Sequence, residues 1–104
     1  MKAFQRLYGA ASPFDPTNRQ DQLGEDARRH LLITALSFTE GVKDRGDLPH
    51  LLGGLLVGIV QVLQATAGTG DETDAAIRAS IIQIAPWAVD MARSAQGKEP
   101  LADA

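Results

Sequence analysis

Residues 48–70 run for twenty-three positions without a charged side chain, and glycine stands at 53, 54 and 58 within that run. Drawn as a helix, residues 48–67 present apolar side chains in nearly every direction, so the segment must be surrounded by something other than water. Four occupants are open: the rest of the chain, a second copy of it, a different protein, or lipid.

Length bears on the choice. A chain of 104 residues is the size of one domain. Such a chain buries only about 60–70% of its unfolded surface, so an isolated protomer gains modest stability unless more is covered. Oligomerisation would supply that cover, and an isologous dimer is the commonest solution for a small chain. The absence of cysteine removes disulfides, thiolate chemistry and sulfur-ligated zinc, and suits a cytoplasmic protein. Residues 1–12 lack the apolar core of a signal peptide. A net charge of −3 and a pI near 5.2 argue against nucleic acid as a partner. Arginine outnumbers lysine seven to three, a composition that points to a GC-rich bacterial or phage genome.

Periodicity predicts an all-α fold, a small helical bundle of three main helices at about 18–45, 48–67 and 72–96, with an N-terminal arm at 1–17 and a flexible tail at 98–104. The arm carries Phe4, Tyr8 and Phe14, three of the five aromatics, and residues 2–8 can form two helical turns. Aromatic side chains bury large areas, so the arm is expected to be docked, on its own bundle or on a partner. The first long helix begins at Thr17 or Asn18, where Thr17 and Gln20 fit a capping box. Its apolar seam is Leu23, Ala27, Leu31, Thr34, Phe38 and Val42, with Leu32, Ile33 and Leu36 off that line. Asp21 or Glu25 can pair with Arg28 or Arg29 at helical spacing. Gly46 is expected to end this helix, and Asp47 with Pro49 to open the next.

The third helix follows the break at Ala67–Gly70. Asp71 or Thr73 caps it, Ile77, Ile81, Ile84, Ala88, Met91 and Ala95 form its seam, and Gly97 ends it. Pro86 is expected to kink it or break it in two.

The uncharged segment just reaches the length of a membrane span. Against a span stand His50, Gln61 and Gln64 inside it, the amphipathic helices around it, and the lack of a basic cluster or aromatic belt at its flanks. Membrane contact is therefore the lesser expectation. Gly54 and Gly58 form a small-xxx-small pair that lets another helix approach closely, in lipid or in water. Gln61 and Gln64 are amides that need partners and can set register across an interface. The expected interface residues are Leu51, Gly54, Leu55, Gly58, Gln61 and Val62, together with Phe4, Tyr8 and Phe14 of the arm.

Chemistry has few places to live. There is no Gly-x-Ser-x-Gly elbow and no phosphate-binding glycine loop. Asp26 and His30, four apart, read as a surface ion pair, since a metal site needs further ligands that no spacing supplies. His50 sits in the first turn of the second helix, and Asp71, Glu72 and Asp74 read as helix capping, not a calcium loop. No cofactor, metal or catalytic residue is expected. The leading expectation is a non-catalytic protein–protein interaction module, such as an adaptor, regulator, inhibitor or assembly subunit, working as a homo-oligomer. The alternatives are a membrane-active or membrane-anchored protein inserting residues 48–67, and an enzyme whose carboxylate and histidine groups are gathered from distant positions.

Overall fold

In a computed structural model the chain is described over residues 12–101. These residues are all-α, without a strand. Helix α1 is Arg19–Thr39, α2 is Leu48–Ala67 and α3 is Asp71–Ala95, with a short 3-10 turn at Arg45–Asp47 leading into α2. The expected helix at residues 2–8, with Phe4 and Tyr8, lies outside the described residues. Contacts divide the chain into two units, one of residues 12–41 and 88–101 and the other of Val42–Trp87, and α3 contributes to both.

In the first unit, the cap of α1 is Asn18 and not Thr17. The extended backbone of Asn18 aims its side-chain oxygen at the amides of Gln20 (2.9 Å) and Asp21 (3.1 Å). Thr17 is engaged elsewhere: its amide and its hydroxyl both donate to Asp15 Oδ1, at 2.9 and 2.7 Å. This Asx-type turn consumes the threonine and passes the cap to the next residue. The Asp15 amide donates to Asp21 Oδ2 at 2.8 Å, and Gln22 Nε2 donates to the Pro16 carbonyl at 2.7 Å. Residues 12–18 thus double back along the opening turns of α1.

Phe14 completes that strap by lying on Gly24. A Cβ at position 24 would stand 2.8 Å from Phe14 Cε1, so glycine is what admits the ring. Gly24, Arg28, Leu32, Ala35 and Leu36 share one face; Ala35 is buried and the others are half-buried. The seam expected from periodicity falls on the adjacent side, where Leu23, Ala27, Leu31, Thr34 and Phe38 are exposed. The spacing identified a real apolar stripe, but the face beside it is the one that is covered.

Helix α1 also ends earlier than Gly46. Over its last turns the hydroxyls of Thr34, Ser37 and Thr39 bond back to the carbonyls of His30 (3.0 Å), Thr34 (2.6 Å) and Ala35 (2.8 Å). Beyond Thr39, two carboxylates supply the backbone partners that a longer helix would have used. Asp44 accepts from the Gly46 amide at 2.8 Å, and Asp47 accepts from the Lys43 amide at 2.9 Å.

In the second unit, Asp47 holds the N-cap position of α2 without a side-chain capping bond, and Pro49 lies in the first turn as expected. The turn into α3 uses two glycines in the positive-φ region, Gly68 (φ 102°) and Gly70 (φ 142°). The Gly70 carbonyl accepts from the Asp74 amide at 2.9 Å, which opens α3 at Asp71.

Helix α3 runs unbroken through Pro86. Proline removes the hydrogen bond to the carbonyl four residues back, at Ile82, and Ile82 is highly exposed, so water can take that carbonyl. Of the expected seam, Ile77 is buried and Ile81, Met91 and Ala95 are half-buried, whereas Ile84 and Ala88 are exposed. The helix ends in a Schellman turn. Gly97 (φ 75°) donates to the Ser94 carbonyl at 2.9 Å and Lys98 donates to the Arg93 carbonyl at 2.9 Å. Residues 98–101 then fold back on the helix end, with Arg93 Nε donating to the Glu99 carbonyl (2.7 Å) and the Leu101 amide to Asp90 Oδ1 (3.2 Å).

The cap assignment has a direct consequence. Asn18→Ala removes the acceptor for two amides and is expected to lower stability by about 1 kcal/mol in urea unfolding, whereas Thr17→Ala costs a smaller amount. Equal losses in the two variants would contradict the assignment.

Candidate interaction surface

Helix α2 holds twenty residues and none of them is buried. Leu52, Val57 and Val62 are 56%, 59% and 65% exposed, and Leu48, Ile59 and Leu63 are exposed as well. Since burying such a side chain is worth about 1.5–3 kcal/mol, the uncovered helix is the largest unspent apolar resource of the second unit. Of the interface residues expected from sequence, Gly54, Gln61 and Val62 are exposed and Leu51, Leu55 and Gly58 are half-buried. Phe14 lies on Gly24 of its own chain, and Phe4 and Tyr8 fall outside the described residues.

The three glycines of α2 open onto empty space. A Cβ built at Gly53, Gly54 or Gly58 meets nothing within 4 Å. Among the described residues, no helix of the same chain fills the groove they form. The two amides differ in role. Gln64 Nε2 donates to Asp74 Oδ1 at 2.9 Å, tying the end of α2 to the first turn of α3 across the Gly68–Gly70 turn. Gln61, one turn earlier, is exposed.

Charge lies only at the two ends of this helix. Lys43 and Arg45 stand exposed before it, while Asp44 and Asp47 beside them are occupied by the backbone amides of Gly46 and Lys43. Asp71 and Glu72 stand exposed after it, next to Asp74. No salt bridge among the described residues engages Lys43, Arg45, Asp71 or Glu72. A shallow depression lined by Asp71, Asp74, Ala75 and Arg78 lies on the opening turns of α3.

The first unit carries a different cluster, centred on half-buried Glu25. Arg28 donates to it through Nη2 (2.6 Å) and Nε (3.1 Å), Arg29 through Nε (2.8 Å), and the Ser12 hydroxyl donates to its other oxygen. The pairing with Arg28 and Arg29 follows from helical spacing, but the approach of Ser12 from thirteen residues away was not legible in the sequence. These donors hold the Glu25 carboxyl down at about 2, with the Arg28 hydrogen bond as the first cause. Asp15 is also lowered, by the backbone amide of Thr17 and then by its hydroxyl.

The expected Asp26–His30 ion pair is replaced by a backbone contact, in which His30 Nδ1 bonds the Asp26 carbonyl at 2.7 Å. The imidazole reaches the carbonyl four residues back because side chains on a helix lean toward its N-terminus. Among the described residues, no three His, Asp or Glu side chains converge where they could hold a metal ion. The surface of α2, and not a polar cleft, is the candidate functional feature. No protein-family model, curated protein or solved structure matches the chain.

The Glu25 cluster makes the first unit acid-sensitive. A carboxyl whose folded pKa is depressed contributes stability that is fully present above its unfolded value and is lost as pH falls through the folded one. The window for Glu25 runs from about 4.5 down to about 2. Unfolding free energies from urea titration should fall across that window by more in the parent chain than in Glu25→Gln, by about 1 kcal/mol. Parallel curves for the two proteins would show that the cluster contributes nothing to stability.

Proposed function

We propose that this protein is a non-catalytic interaction module, a helical homo-oligomer in which subunits cover one another's α2, and that it serves as a small adaptor, regulator, inhibitor or assembly subunit. The observation that carries the reading is that α2 is twenty residues long, without charge, and has no buried residue. Two further surfaces favour protein over lipid as the cover. Helix α1 leaves Leu23, Leu31, Ile33 and Phe38 exposed, and α3 leaves Ile82, Ile84, Trp87 and Val89 exposed around Pro86. Insertion of α2 alone into a bilayer would leave those side chains in water, whereas an assembly can cover all three helices. Helices whose apolar faces exceed their own chain's capacity to cover them are typical of obligate assemblies.

A second reading is membrane insertion of the same segment. The residues Arg45–Ala67 span 23 positions with a mean hydropathy of 1.6 and none of them buried, which is long and apolar enough to cross a bilayer. His50, Gln61 and Gln64 weigh against it, since each is costly in hydrocarbon.

Light scattering on the detergent-free soluble protein distinguishes the readings. The expected mass is a multiple of 11.1 kDa. Because a side chain at Gly54 or Gly58 meets no described neighbour, Gly54→Leu with Gly58→Leu should preserve helix content while reducing the mass to one protomer. A parent protein that is strictly monomeric at tens of micromolar would defeat the proposal. Recovery only in detergent, or flotation with neutral lipid vesicles, would install the second reading in its place.

A further inference from the structure

We draw no further inference here: the strongest candidate, the exposed apolar side of α2 bearing Leu48, Leu52, Ile59 and Leu63, carries no proposal beyond the one above because nothing in the structure shows what covers it.

Discussion

An apolar helix in water gains nothing from its own hydrogen bonds that the solvent would not also have offered; what holds it in place is the surface it loses to a neighbour. In this protein α2 has the apolar content of a core helix and the exposure of a surface helix. The other features of the second unit are arranged around its ends. The 3-10 turn and Pro49 start it, paired glycines at positive φ stop it, and Gln64 ties its last turn to α3. None of these supplies the missing contact along its length. The functional reading therefore follows from an imbalance: more apolar surface is exposed than a chain of this size stabilises by itself.

The first unit solves its own packing differently. A strap of polar and aromatic residues, 12–18, is fastened to α1 by Ser12 on Glu25, Asp15 on Asp21, and Phe14 on Gly24. Each contact is short-range in space but spans up to thirteen residues of sequence. The face of α1 bearing Leu32, Ala35 and Leu36 is buried or half-buried, and the longer stripe of Leu23, Leu31 and Phe38 is exposed. Both units thus contain an exposed apolar face.

The features legible from residues alone were those governed by local chemistry. Pro49 in a first turn, Gly97 after a last turn and acids opening α3 are set by backbone dihedrals and the helix dipole, which depend on a few adjacent residues. The Glu25 pairs with Arg28 and Arg29 were legible for the same reason. The exchange of Thr17 for Asn18 as cap was not, because it turns on Asp15 capturing the threonine first. The early end of α1 was hidden in the same way, since Asp44 and Asp47 compete for backbone amides that helical spacing alone would assign to α1.

By itself, the sequence determined that the chain is helical, where its three long helices lie to within a turn or so at most boundaries, and that the middle one is uncharged and apolar on nearly every side. These follow from apolar periodicity, the absence of charge, and the placement of glycine and proline. Only the tertiary structure decided which faces are covered: the Leu32 side of α1 and not the Leu23 side, Ile77 and not Ile84, and no described neighbour at all over Gly53, Gly54 and Gly58. The reason is that periodicity marks every stripe capable of burial, whereas the choice among stripes depends on contacts between residues far apart in the chain, such as Phe14 seating where Gly24 lacks a Cβ.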